Sequence, residues 1–501
     1  MSTHAAASDR PLDFSAGASE PSAPTGAVLT RLVNNRLVTW HLAAGVFWFT
    51  IALLAGLLYA TQFLQAYHGG TSEILSPGRV RMVHTNLIAF AWLTNGFLAV
   101  LYWVVPRLTG ERVLSDALGW LIFWVWQALM GALWAGLHLG EAQPIEWGET
   151  PTWLDPLIVV GAVLVSIQFY TPILRTREKA MYVSLWYFSA AFIWLGLTYI
   201  MGNFFPQYVV PGAGAGALLG LYIHDLVGLW VTPLGWGLMY FFVPVILKRP
   251  IWSHALSLVG FWGLAFFYPL QGVHHFLWSP IPMFAQYGAV ISTIAVEIVV
   301  TTVIINFYMT WRGSEGSLKN SPPIRWFWVG ALFYFITCLQ CAFQTTLTFQ
   351  QIIHFSDWVV GHAHLVMFGV FTFWIFGVIT HLWPKLVGRE WWSQRLLGWH
   401  YWLSAVGLAG MFLDLMSGGL VQGFLWRALA PWEDSVVASR PFWLARAWLG
   451  VAIVVGHFAL VINMLMTALG SRVPHRDFDY AGYEQLGDAA PASLSTGSSA
   501  S

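Results

Sequence analysis

Twelve predominantly apolar stretches, separated by short polar connections, divide this chain almost from end to end. They run roughly over 38–66, 82–106, 115–139, 154–174, 181–205, 216–246, 252–276, 283–311, 324–347, 358–384, 395–421 and 442–470. A helix needs about 20 apolar residues to cross a bilayer core. Backbone in hydrocarbon must satisfy its own hydrogen bonds, so each stretch is expected to be helical. Only 9% of the 501 residues are charged, against about 25% in an ordinary soluble domain. The zero formal charge argues against a nucleic-acid partner. The 31 tryptophans suit membrane interfaces, where an indole is half wet. The expectation is an all-α integral membrane protein of about twelve transmembrane helices, in one domain over 31–471.

Residues 1–30 and 472–501 are rich in Ala, Ser, Pro and Gly and poor in large apolar side chains. They are expected to be disordered tails. No apolar run with a small-residue cleavage site precedes the first span, so no cleaved signal peptide is expected. The longest loops are expected near 140–153 and 422–441. With the N-terminus inside, the inner loops and flanks gather most of the Lys and Arg. The outer side keeps Arg79, Arg81, Arg427, Arg440 and Arg446. That asymmetry sets the expected orientation.

On this topology six histidines fall at one depth, near the outer face. His84 starts the second span, and His224 lies about eight residues into the sixth. His274 and His275 close the seventh, and His362 and His364 lie early in the tenth. A lone intramembrane histidine is often a hydrogen bond between helices. Six at a shared level are better explained as ligands, because polar groups in lipid are costly and mark function, and neutral imidazole is the commonest metal ligand. Two residues turn a helix by about 200°, so His362 and His364 face opposite flanks and can serve two haems. His84 suits the second axial position of one of them, giving a full coordination shell for electron transfer, while the other haem keeps an open position. His224, His274 and His275 give three imidazoles suited to copper with a vacant site. His68, His254, His381 and His400 are expected near helix ends or loops, solvated at the interface. His4 and His475 fall in the tails, and His41, His138 and His457 are read as structural or interfacial.

The fragments RMVHTN at 81–86, REKAMYV at 177–183, HDLVG at 224–228, MYFFVP at 239–244, YPLQGVHH at 268–275, DWVVGHAH at 357–364 and VQGFLWRAL at 421–429 together resemble the haem–copper oxidase superfamily. The likeness is to the catalytic subunit of the C-type (cbb3-type) cytochrome c oxidases. It covers roughly 38–470 and implies a fold enclosing two haems b and a copper. By that resemblance His84 and His364 ligate a low-spin haem b, His362 a high-spin haem b, and His224, His274 and His275 the copper called CuB. Tyr268 occupies the position of the family's active-site tyrosine, which is joined to a copper-ligating histidine, here His224. Such a phenol can supply the fourth electron, with a proton, when dioxygen is split; ferrous haem gives two and Cu(I) one.

The resemblance also implies a proton route from the inside along the sixth and seventh spans, matched here by Tyr240, Ser257 and Thr232, with Glu297 in the eighth span as a further candidate. It implies calcium near the haem propionates, with Glu146 as the candidate in an acidic loop of Glu141, Glu146, Glu149 and Asp155. His354, Asp357 and Arg81 could reach propionates by position. Cys338 and Cys341 are followed by Ala342 rather than His, so they are no c-haem attachment site and read as packing. Electrons are therefore expected from membrane-anchored cytochrome c subunits or a soluble cytochrome c. The implied activity is reduction of dioxygen to water with proton uptake and pumping, in a bacterial inner membrane.

Two rivals remain. A nitric oxide reductase replaces copper with non-haem iron and carries a glutamate one turn after the sixth-span histidine. That position is Gly228. A haem-free transporter would show internal repeats and broken helices, and no clear repeat is present. The pair HisAsp at 224–225, where the family usually has HisAsn, departs from the pattern.

Overall fold

The computed structural model describes residues 32–65 and 72–470. The expected tails, Arg31 and His68 lie outside the described residues. Among those residues twelve helices are long and apolar enough to cross a membrane. They are α1 (Asn35–Gln62), α2 (Pro77–Thr109), α3 (Asp116–Leu139), α4 (Thr152–Arg175), α5 (Val183–Tyr208), α6 (Gly212–Leu247), α7 (His254–Phe276), α8 (Met283–Trp311), α9 (Pro322–Gln344), α10 (Asp357–Val387), α11 (Gln394–Arg427) and α12 (Trp432–Leu469).

Their starts follow local chemistry. The side chains of Asn34, Ser115, Ser253 and Ser393 each cap the first turn of α1, α3, α7 and α11, satisfying amides that have no partner inside the helix. Gly110 and Gly140 close α2 and α3 with positive φ, as C-terminal glycines do.

Successive spans pack antiparallel, and α12 returns to pack on α1. Three spans sit inside the ring. The most apolar windows of α2, α6 and α10 are 100%, 94% and 89% buried, against 22–56% for the other nine. The outer helices turn large apolar side chains such as Leu197, Phe266, Ile291 and Leu413 outward, the surface expected of a protein solvated by lipid. The inner three are linked by contacts such as Trp92 Nε1 donating to Thr372 Oγ1 at 2.9 Å, from α2 to α10.

The fold corrects several boundaries. The expected loop at 422–441 is helix for most of its length, because α11 runs to Arg427 and α12 starts at Trp432. Polar residues there read as loop, but they continue helices past the apolar core. Likewise α2 begins at Pro77, so His84 is in its second turn. The expected interfacial solvation of His400 is also wrong: it is fully buried, because its face of α11 packs against Trp326, Phe376 and the Gly456 carbonyl.

Candidate metal and cofactor centre

The six histidines gather at one end of the bundle, where α2, α6 and α10 begin and α7 ends. Each inner span departs from regular α-helix just past its histidines. π-Helical turns occupy Leu87–Leu93 after His84, Leu226–Val231 after His224, and Leu365–Thr372 after His364. Such bulges recur at functional sites because they re-aim side chains within a continuous helix. The seventh span instead tightens to 3₁₀ turns at Tyr268–Leu270 and Gly272–Phe276, which carry His274 and His275.

Close approach of α6 and α7 brings three of these imidazoles together. A Cβ at Gly272 would lie 2.3 Å from Leu221 Cα and 2.6 Å from the Gly220 carbonyl oxygen, so only glycine lets the two backbones meet. The ligand-capable atoms of His224, His274 and His275 then lie within 4.8 Å of one another. His224 Nε2 donates to Gln271 Oε1 at 2.9 Å, and the Gln271 amide nitrogen turns to the Ser292 carbonyl. His224 Nδ1 is left bare, 3.3 Å from His275 Nε2. The Thr293 hydroxyl donates to the Ala289 carbonyl, so it accepts from His274 Nδ1 at 2.8 Å, leaving His274 Nε2 bare. Lone pairs converging in a buried space repel one another unless a cation sits between them. Three imidazoles, with the second nitrogens of His224 and His274 oriented by hydrogen bonds, form a donor set that fits copper.

Tyr268 stacks on His224 with ring centroids 4.4 Å apart and planes 18° apart. It fills the place a side chain at Gly228 would need: a Cβ there would meet Tyr268 Cε1 at 1.5 Å.

The second group lies between α2 and α10. The rings of His84 and His364 are 6.0 Å apart between centroids, with planes within 22°. Each donates Nδ1–H to a backbone carbonyl, His84 to Ala52 and His364 to Val360, both at 2.8 Å. Both Nε2 atoms are thereby lone pairs. A metal–imidazole bond of about 2.0–2.1 Å on each side fits this centroid spacing, so an iron is accommodated between them. Gly56 makes the room, since a Cβ there would come within 2.6 Å of the His84 ring. His362, on the other flank of α10, donates Nδ1–H to Gln340 Oε1 at 2.9 Å, and the Gln340 amide donates to Met416 Sδ. It lies within electrostatic reach of His224 and His274.

Around this end Arg446, 5% exposed, lies over the Phe63 ring and near Asp357, yet its Nε and Nη2 have no hydrogen-bond partner. Its charge acts on His364. Unpaired buried guanidinium donors suit carboxylates such as haem propionates. Asp357 accepts from Gln422 and Trp443. His354 donates to Gln350. Arg81 crosses from α2 to pair with buried Glu149 at 2.8 Å and stands 4.0 Å from Glu146. Asp155 accepts from Tyr199 and Gln143, and Glu141 from Trp153. Loss of solvation raises the Glu146 carboxyl above its usual value, with Arg81 opposing and the Glu149 charge adding to the rise.

Toward the opposite end, Asn306 of α8 donates to Ser257 Oγ and to the Ser253 carbonyl. The buried Tyr240 hydroxyl faces Ser257 and Asn306 without a well-aligned bond to either. Thr232 is buried on α6, about two turns before Tyr240. Glu297 keeps a buried Oε1 without a partner. Cys338 and Cys341 are unbridged.

Sequence reasoning missed Gly56, Gln271, Thr293, Gln340 and Arg446. The first four act on a histidine from another turn or another helix, and no spacing rule links them to it. The lone Arg446 in an apolar span was the one available signal.

The chain is 28% identical over 446 residues to cytochrome c oxidase subunit 1 of Rhodobacter capsulatus, covering 85% of this chain and 84% of that one. It is 27% identical over 447 residues to the cbb3-type cytochrome c oxidase subunit CcoN1 of Stutzerimonas stutzeri, covering 86% and 94%. A nitric oxide reductase chain from that organism is 24% identical over 371 residues, covering 69% and 76%. A solved heme-copper terminal oxidase dimer superimposes with a TM-score of 0.72 at 14% identity, over 88% of this chain and 84% of that one, a likeness of fold. The family of cytochrome c and quinol oxidase polypeptide I matches residues 36–452, and the chain belongs to it.

Proposed function

We propose that this chain is the catalytic subunit of a cbb3-type terminal oxidase, reducing dioxygen to water with electrons from cytochrome c. The observation that carries the proposal is the trio His224, His274 and His275 with Tyr268 stacked on His224. A phenol beside a three-imidazole copper site can deliver an electron and a proton together. In this reading His84 and His364 hold a low-spin haem b, and His362 holds a high-spin haem b. Bound haem and copper would supply dioxygen binding and electron transfer.

The remaining steps belong to the chain's own residues. Gln271 and Thr293 fix which nitrogen of His224 and His274 faces the metal. Gln340 orients His362. Tyr268 donates its hydroxyl proton and is re-protonated through Ser257 and Tyr240, with Thr232 and Glu297 as further carriers. The dry surroundings keep these transfers local, because polar groups there have few competing partners. Arg446 and Arg81 would hold propionates, and Glu146 a calcium ion beside them. Electrons arrive from membrane-anchored cytochrome c subunits at the histidine-rich end, on the outer side of a bacterial inner membrane. Protons enter at the opposite, Lys- and Arg-rich face, where the N-terminus lies, and some are pumped.

The structure favours oxygen over nitric oxide as substrate at one point. A glutamate at 228 cannot coexist with Tyr268 in its present place. A reduced-minus-oxidised spectrum with metal analysis tests the proposal. Two haems and one copper per chain are expected. An extra iron without copper would reassign the chain to nitric oxide reduction, and a colourless preparation would leave only a transport role.

A further inference from the structure

At the end of the bundle opposite the histidine layer, α9 and α11 begin beside the end of α10. A cavity of about 160 Å³ opens between these three helices. It continues into a wider cleft of about 520 Å³, since Arg325, Thr380, Gln394 and Leu397 line both. Small-ligand sites occupy about 300–1,000 Å³, whereas one water takes roughly 30 Å³. The space therefore suits a ligand better than a few waters.

The cleft is cationic. Exposed Lys319 and half-buried Arg325 line it, with the amides of Asn320 and Gln394. Among the described residues no carboxylate lines either part. Arg325 donates Nε–H to the Leu318 carbonyl at 2.7 Å and Nη2–H to the Lys319 carbonyl. These bonds fold the short turn Gly316–Asn320 over the start of α9 and bring Lys319 to the guanidinium. Two cations held together without an acid repel one another unless an anion joins them.

The cavity behind it is largely apolar. Trp326, Leu397 and Tyr401 wall it, with the Trp326 and Tyr401 rings 5.0 Å apart between centroids. The Thr380 hydroxyl is already committed to the Phe376 carbonyl, at 2.6 Å. Gly398 also lines the cavity, and a Cβ there would meet nothing within 4 Å. Close by in the chain, Trp392 and Trp399 are 52% and 62% exposed, as indoles are at the edge of a bilayer. A positive mouth and an apolar floor at that level select an amphiphile with a negative head. Arg and Lys are the side chains that hold phosphate, one through its fork of N–H groups and the other as a point charge.

We propose that this space binds one anionic phospholipid. Its phosphate sits between Lys319 and Arg325, and the first carbons of one acyl chain lie against Trp326, Leu397 and Gly398. Bound there, the lipid ties the starts of α9 and α11 to the end of α10, the span that carries His362 and His364. The site is independent of what those histidines hold.

The test uses the purified complex, delipidated in detergent and titrated separately with phosphatidylglycerol, phosphatidylcholine and inorganic phosphate. Native mass spectrometry counts the molecules retained, and thermal unfolding reports their effect. The wild type is expected to keep one phosphatidylglycerol more tightly than any other lipid, and its thermal midpoint should rise as that lipid binds. Lys319→Gln should weaken this one binding event by about fivefold. Gly398→Leu should expel the acyl chain and leave α11 formed, because Leu is the better helix former. Arg325→Gln should weaken binding at least as much as Lys319→Gln; if its loss unfolds the turn, the other two variants decide. Wild-type retention in both Lys319→Gln and Gly398→Leu overturns the proposal. So does equally tight phosphatidylcholine, or inorganic phosphate that displaces the lipid, which would give the site to a soluble phosphate compound.

Discussion

The Tyr268 ring occupies the space above Gly228 so fully that a Cβ at 228 would lie 1.5 Å from Tyr268 Cε1. The same tyrosine stacks on His224, one turn earlier on α6. One glycine therefore decides where the phenol stands relative to the three-imidazole trio.

Gly228→Ala is expected to push Tyr268 off His224. Oxygen turnover should fall about as far as in Tyr268→Phe, by roughly 10² or more if the hydroxyl is the proton donor, with the metals still bound. Oxygen consumption with parallel metal analysis measures this, and normal turnover in Tyr268→Phe would remove the tyrosine from the mechanism.

Replacing His224, His274 or His275 by Ala should remove copper and activity while leaving the absorbance of the His84–His364 centre intact, because the two groups lie on different flanks of the bundle. His84→Ala should do the reverse to that absorbance. Gly56→Val is expected to imitate His84→Ala, since its Cβ would meet the His84 ring at 2.6 Å. Optical spectra of the reduced variants separate these outcomes.

Gln340→Leu removes the acceptor of His362 Nδ1–H. The stranded donor costs about 1–3 kcal/mol, and the ligand loses its fixed orientation and some basicity. The expected results are a lower thermal midpoint and a shifted reduction potential of the haem held by His362, with the His84–His364 centre unchanged. A redox titration resolves the two.

Glu146 carries the calcium prediction. Its carboxyl holds a proton to higher pH than usual, and that proton competes with a cation for the same oxygens. Calcium affinity should therefore rise as pH rises through the Glu146 titration, and weaken below it. Glu146→Gln should abolish the dependence. Calcium content after dialysis at several pH values checks this, and a flat profile in the wild type would place calcium elsewhere.

Ser257→Ala and Tyr240→Phe should slow proton delivery without disturbing either metal group, because they sit far down α7 and α6 from Tyr268. Ser257 accepts from Asn306, so Asn306→Leu is expected to slow it as well. Flash-induced proton uptake in the three variants gives the comparison.

The amino-acid sequence by itself determined the twelve spans and the shared depth of six histidines. Apolar length is a local property that lipid reads directly, and antiparallel succession then carries each histidine to a known end. It also placed Tyr268 and Gly228 in the right neighbourhood. It misread His400 as solvated, because burial depends on neighbours distant in the chain, and the reach of Arg81 to Glu149 is set in the same way. Only the tertiary structure decided which nitrogen of His224, His274, His362 and His84 is bare, since that is set by Gln271, Thr293, Gln340 and the Ala52 carbonyl across helix contacts. The physical reason is range: hydrophobic length acts along the chain, whereas hydrogen bonds and steric exclusion act between whatever groups packing brings within a few ångströms.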